Sequence, residues 1–300
     1  MKQLFCISMY YLLLGILYPI ALLPLRFLYL ISDLGFFFIY HVFGYRKEIV
    51  WDNLRHAFPQ KTEAELQVIR KRFYRSFCDQ WIETIKLLTI TEESLNKRMM
   101  GNWEVMKQLG NEGKNTYLIA CHTFNWEWTN VAFPLNTSQQ YACVYLPLTN
   151  RAFDRLMIRI RTRTGAWMVS MKALKSGFAK LKTAQHILTL AADQNPAVTE
   201  VAEWIPFMNR EAPFFRGPEQ MAKRAKAAVV FIGIKKVRRG YYRFHLSKFC
   251  DEASQTAPGE ILNAYVRFVE GQLQSQPENW LWTHRRWKHI RKQPTSERTG

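Results

Sequence analysis

From residue 116 onward, short apolar runs alternate with amphipathic ones. The apolar runs fall at 116–121, 140–146, 186–192, 227–235 and 241–248, lengths that suit strands. Runs with helical spacing lie between or after them, at 124–133, 151–163, 171–182, 218–226 and 259–274. Repetition of strand, helix and strand predicts an α/β fold, a central sheet with helices packed on it. The last two strands meet at Gly240 across a connection too short for a crossover, so they read as a hairpin and the sheet as mixed. No internal repeat or low-complexity segment interrupts this pattern.

The first hundred residues obey another rule. Leu4 to Pro24 is a stretch of 21 residues without a charge, and after Arg26 and Asp33 the segment LGFFFIYHVFGYRK is apolar again. At about 1.5 Å of rise per residue the first stretch is long enough to cross a hydrocarbon core. It is too long for a signal peptide and lacks a small-residue cleavage site. Pro19 and Pro24 leave a second arrangement open, a helix pair lying on the membrane surface. The expected organisation is a membrane-anchoring helical segment at 1–44, one catalytic domain at 45–291 and a polar tail at 292–300. Arg46, Lys47 and the basic bulk beyond them favour a body on the cytoplasmic face. Within the body, Thr62 and Glu65 have capping-box spacing, and Leu66, Ile69, Phe73 and Phe77 follow at helical spacing.

The formal charge of +18 requires an anionic counterpart: nucleic acid, an anionic membrane face, or an acidic carrier or substrate. No nucleic-acid motif occurs. The five cysteines (Cys6, Cys78, Cys121, Cys143 and Cys250) have no metal-ligand spacing and form no evident disulfide framework, so no metal or cofactor is expected.

The strand at 116–121 ends on His122, and Glu127 follows five residues later. Open α/β sheets bind ligands at the carboxyl ends of their strands, which is where His122 falls. Inside one helix, residues five apart point in different directions. The two side chains can meet only if His122 lies in a turn and Glu127 one turn into the next helix. A carboxylate beside an imidazole fixes its tautomer and raises its basicity, as a general base requires. Cys121 neighbours His122 but must face the opposite side of the strand, toward the core, which argues against a cysteine nucleophile.

Further groups gather at the same edge. Asp193 closes the run HILTLAADQNP and, in a parallel sheet, lies on the edge that carries His122; it could hold an arginine or orient the histidine. Arg151, Arg155 and Arg159 share one helix face, and Arg161 and Arg163 follow near Gly165. Arginine suits bidentate binding of phosphate or carboxylate. Gly217 and Pro218, as N-cap and first helical residue beside Arg216, make an anion site at a helix start. Near the end, NWLWTHRRWKHIRK interleaves tryptophans with basic residues, a mixture suited to a membrane interface.

Together these blocks resemble the late (secondary) acyltransferases of lipid A biosynthesis, within the lysophospholipid acyltransferase superfamily. The resemblance rests on EIVWDNLRHAFPQKTEAE, the HxxxxE motif, YLPLTN with FDRLM and RTRTG, ADQNP, PFFRGPEQMAKRAKAAVVFIG and LWTHRRWK, in that order across nearly the whole chain. It implies a glycerolipid-acyltransferase-like fold, His122 and Glu127 as a catalytic dyad, and substrate-contact or structural polar roles for Arg163 and Asp193. One departure is Tyr145-Leu146-Pro147, where the family often has Tyr-Arg-Pro. The glycerolipid branch usually places aspartate after the histidine and carries a Phe-Pro-Glu-Gly segment; neither is present here.

The implied reaction is transfer of an acyl chain from an acyl thioester on acyl carrier protein to a hydroxyl of an anionic lipid A precursor, on the cytoplasmic face of a bacterial inner membrane. Arg161, Arg163, Asp193, Arg216 and Gly217 are the expected substrate-binding residues. Two other readings stay open: the same chemistry on a lysophospholipid or aminolipid, and a membrane-tethered basic binding protein without chemistry.

Overall fold

The computed structural model describes residues 2–181 and 183–291. The expected tail at 292–300 lies outside the described residues. Helices α1 (Lys2–Leu22) and α2 (Leu25–Phe36) come first, α2 running on into a π-helical turn at Phe37–Val42. Helices α3 (Lys47–Ala57), α4 (Glu63–Lys86) and α5 (Glu92–Arg98) lead to a short strand β1 (Met99–Gly101) and α6 (Glu104–Asn111). The alternating region follows as β2 (Thr116–Ala120), α7 (Trp126–Asn136), β3 (Gln140–Tyr145), α8 (Arg151–Thr162), β4 (Trp167–Ser170), α9 (Leu174–Leu181) and β5 (His186–Ala191). A hairpin of β6 (Glu203–Phe207) and β7 (Arg210–Phe214) precedes α10 (Gly217–Arg224), β8 (Ala228–Arg238), β9 (Tyr241–Cys250) and α11 (Glu260–Ser275).

Seven strands form one sheet in the order β1-β9-β8-β2-β5-β3-β4. β8, β2, β5, β3 and β4 run parallel, and β9 pairs antiparallel with β8 through the turn at Gly240, so the sheet is mixed as expected. The five expected strands are all present. β1, β4 and the β6–β7 hairpin were not anticipated. The first two are only three and four residues long, and β6 and β7 each contain a proline inside a stretch that reads as irregular apolar wall.

β2 is the centre of the sheet, and its side chains are buried on both faces, with Leu118 and Ile119 almost wholly covered. The register with β5 pairs Ala120 with Ala191. His122 and Asp193 each stand two residues beyond that pair, so the ladder delivers them to the same edge.

Helix α4 begins with the expected capping box: Glu65 N donates to Thr62 Oγ1, and Thr62 N to Glu65 Oε2 at 2.8 Å. Two N-terminal segments, Phe5–Leu22 and Leu25–Val42, are long and apolar enough to cross a membrane. They are not loose appendages. α1 packs on α8, with Arg155 over the Tyr10 ring at 4.7 Å and Arg159 donating to the Tyr10 hydroxyl. α2 lies along α4, where Ser32 donates to Asp79 at 2.7 Å and Arg239 bridges Asp33 and Asp79. Helices α1 and α2 are therefore joined to the elements that follow by buried polar contacts as well as by apolar packing at Leu25, Leu28 and Phe36.

Candidate active site

The turn after β2 places His122 with its side chain 23% exposed. Asp193, 1% exposed, meets it twice: its Oδ2 accepts from the His122 backbone amide at 2.8 Å, and its Oδ1 lies 2.7 Å from Nδ1. Trp280 Nε1 donates to the same Oδ2 at 2.7 Å. Three donors thus hold a buried carboxylate ionised. Burial alone raises its pKa, but His122 and these hydrogen bonds bring Asp193 down to about 2. Burial pushes His122 the other way, toward the neutral form, and is outweighed by the charge and hydrogen bond of Asp193; the net shift is upward.

Nδ1 facing an ionised carboxylate carries the proton, and Nε2 keeps its lone pair. Trp126 packs edge-on against the ring at 5.3 Å between centroids, and Gln194 Nε2 comes within 3.3 Å of Nε2. One imidazole nitrogen is held by Asp193, and the other faces the Gln194 side-chain amide.

Glu127 enters differently from its spacing. It lies in the first turn of α7, whose N-cap Asn125 accepts from Trp128 N through its side chain. Its carboxylate is spent on Arg161: Oε2 accepts from Nε at 2.8 Å and Oε1 from Nη2 at 2.5 Å. Trp126 Nε1 donates to Oε1 at 3.1 Å. The carboxylate that orients His122 is thus Asp193, and Glu127 reaches the imidazole only through space and through the Trp126 ring. The spacing argument expected Glu127 about one turn into the helix, whereas it is the second residue of α7, and α8 supplies its partner.

The remaining candidates divide. Arg161 belongs to the cluster through Glu127. Arg163 does not: its guanidinium donates to the carbonyls of Leu87 and Ile90, tying the end of α8 to the segment after α4. Arg216 pairs with Glu203 at 2.7 Å, and no hydrogen bond among the described residues joins it to the His122 cluster. α10 starts one residue earlier than expected, with Arg216 as N-cap and Gly217 first in the helix. Cys121 is buried and its thiol is pushed up to about 12 by that burial, which suits packing and not nucleophilic attack.

Several residues of the cluster escaped the sequence reading. Trp280, fully buried, both caps Asp193 and stacks edge-on with Trp282. His284 Nε2 accepts from Asn195 N at 3.2 Å and is held neutral by burial, its pKa down to about 4. Arg286, wholly buried, donates to Asn195 Oδ1 at 2.8 Å, its guanidinium 4.1 Å from the Phe214 ring centre. The whole segment is clamped by Asn53, whose Nδ2 donates to the carbonyls of Trp282 and His284, and by Arg46, which donates to Thr283 O. The mixture of tryptophan and arginine in LWTHRRWK pointed to a membrane interface; much of it instead forms the back wall of the site. Only proximity in space separates the two readings.

At the carboxyl edge of the sheet, in a chain with two long apolar helices, an imidazole is thus backed by a buried carboxylate on one nitrogen and faces the Gln194 amide on the other. The chain belongs to the bacterial lipid A biosynthesis acyltransferase family, whose model matches residues 2–289. Its general activity is acyl transfer in lipid A biosynthesis. No curated protein sequence matches the chain.

Proposed function

We propose that this protein is a membrane-bound O-acyltransferase that moves a fatty acyl chain from the thioester of acyl carrier protein to a hydroxyl of a lipid A precursor, on the cytoplasmic face of a bacterial inner membrane. The observation that carries the reading is the His122–Asp193 pair, 2.7 Å apart, in which the imidazole side chain keeps 23% of its surface exposed. His122 Nε2 takes the proton of the acceptor hydroxyl as its oxygen attacks the thioester carbon. The C–S bond breaks, and the proton passes from His122 to the leaving thiolate. Asp193 holds the tautomer and stabilises the imidazolium between these steps. Direct transfer needs no acyl-enzyme, in keeping with the inert environment of Cys121. Glu127 acts with Arg161 as a buried ion pair that fixes Trp126 against the imidazole, its charge at the imidazolium opposed by that of Arg161. The Gln194 amide, 3.3 Å from Nε2, is placed to donate to the oxyanion.

A second reading keeps the chemistry and changes the acceptor to a lysophospholipid or aminolipid. It is favoured by Leu146, 63% exposed on the loop after β3, in place of the arginine frequent in the family. An apolar residue there offers no ion pair to a phosphate.

The test is transfer from acyl carrier protein thioesters to lipid A precursors in membranes containing wild-type protein or His122→Ala. Full activity in the variant would overturn the base assignment. Mass spectrometry of total lipids from a deletion strain separates the acceptors: loss of one acyl chain from lipid A supports the first reading, and loss of an acylated phospholipid or aminolipid supports the second.

A further inference from the structure

We propose that the carboxyl edge of the sheet is a membrane-seating surface in its own right, with three loops lowering aliphatic side chains into an anionic phospholipid bilayer beside His122. The inference rests on the reading of the acceptor as a lipid. Leu146 and Leu148 stand on the loop after β3, Met171 follows β4, and Val198 and Val201 lie on the loop after β5; all five are exposed, Val201 by 65%. These strands are parallel to β2, so the three loops leave the sheet on the side where β2 delivers His122. Single exposed aliphatics are ordinary on any protein surface. Five on three sequence-distant loops, all at the edge that holds the base, are not scattered.

Helix α1 continues this surface. Its Ala21 carbonyl accepts from Lys86 and Thr89, next to the carbonyls that Arg163 binds just past the end of α8. Its Tyr10 meets Arg155 and Arg159, further back along α8. α1 therefore runs parallel to α8, and the residues before Tyr10 lead toward the start of α8 and the 146–150 loop. Phe5, 70% exposed, is on that part of the helix. The charge around the rim matches the occupant: Arg151, Arg155, Lys172 and Lys175 are exposed beside it. Seated this way, the site receives its acceptor from the bilayer without lifting the acyl chains into water.

The experiment uses the full chain in nanodiscs of phosphatidylethanolamine and phosphatidylglycerol. A photoreactive benzoylphenylalanine replaces Leu146 in one protein and Val201 in another. Irradiation is expected to give phospholipid adducts at both positions. Adducts to neither position, or adducts to acyl carrier protein alone when it is added, would overturn the proposal. In parallel, Leu148→Asp with Val201→Asp, which leaves α1 and α2 intact, is expected to lower transfer to an acceptor embedded in vesicles about tenfold or more relative to the same acceptor dispersed in detergent. The detergent assay reports folding; an equal loss in both would overturn the proposal. Photoadducts need no acyl transfer. Lipid adducts in a protein that acylates no lipid would remove the functional reading and leave the seating surface standing.

Discussion

His122 and Asp193, 71 residues apart in sequence, share two contacts of 2.7 and 2.8 Å because Ala120 and Ala191 are register partners. Each residue stands at the same offset past its strand, so the pair is a product of the ladder and not of a flexible loop. Asp193→Asn keeps the shape and removes the charge. Transfer should fall about 10²–10⁴-fold, the usual worth of a positioned base. Activity should rise with pH along a limb centred above the ordinary histidine value of about 6.5 in the wild type, and that centre should move down in Asp193→Asn. An unmoved limb would show that another group titrates.

The same pair sets a window for stability. A histidine with a raised pKa contributes stability that is complete below its unfolded value and is lost as pH rises through the folded one. Asp193, lowered to about 2, contributes stability that is present above the ordinary carboxylate value and is lost as pH falls toward 2. The ion pair should therefore stabilise most in weak acid, between about 4 and 6.5. Denaturation across that range should show the wild type's advantage over Asp193→Asn shrinking at both ends.

Glu127 and Arg161 form a bidentate pair with side chains only 6% and 20% exposed. Removing one partner leaves the other charge buried, so Glu127→Ala or Arg161→Ala should each cost about 3–5 kcal/mol of stability. Glu127→Gln with Arg161→Met should recover much of that. If the double variant were as unstable as either single one, the pairing would not be the source of the cost. Activity measured on the recovered protein then isolates the chemical role of Glu127.

Cys121→Ala should keep nearly full transfer activity, since a thiol pushed up to about 12 and turned into the core offers little thiolate near neutral pH. Alkylating reagents at neutral pH should leave the native protein unlabelled at this position. Rapid labelling that abolished transfer would point to an acyl-enzyme instead.

Asn53→Ala removes both amide contacts to the Trp282 and His284 carbonyls, at a cost of about 1–3 kcal/mol. Because that segment carries Trp280, the loss should reach the site. Transfer is expected to drop more steeply with temperature than in the wild type, read from activity after graded heating.

The mixed sheet, its central strand and the edge that carries His122 and Asp193 were legible because strand burial and helix periodicity are local signals. The identity of the orienting carboxylate was not. An aspartate after one strand and a glutamate after another look equivalent until the register between β2 and β5 is known, and the arginine that takes Glu127 comes from a third element. Arg163 and Arg216 looked like anion binders because composition reports charge and not its partner; the carbonyls of Leu87 and Ile90 and the carboxylate of Glu203 are what they meet. The β6–β7 hairpin was hidden by its prolines, and with it the reason for LWTHRRWK: Phe207 and Phe214 enclose Arg286 only once that hairpin is in place.

The back wall formed by Trp280, His284 and Arg286 also orders events in time. The two long apolar helices precede in chain order, and so are made before, the indole that caps Asp193. If those helices seat the chain on a bilayer, as proposed above, they do so while its base still lacks a finished support. On that reading, truncated or stalled products would occupy membrane without transferring acyl groups.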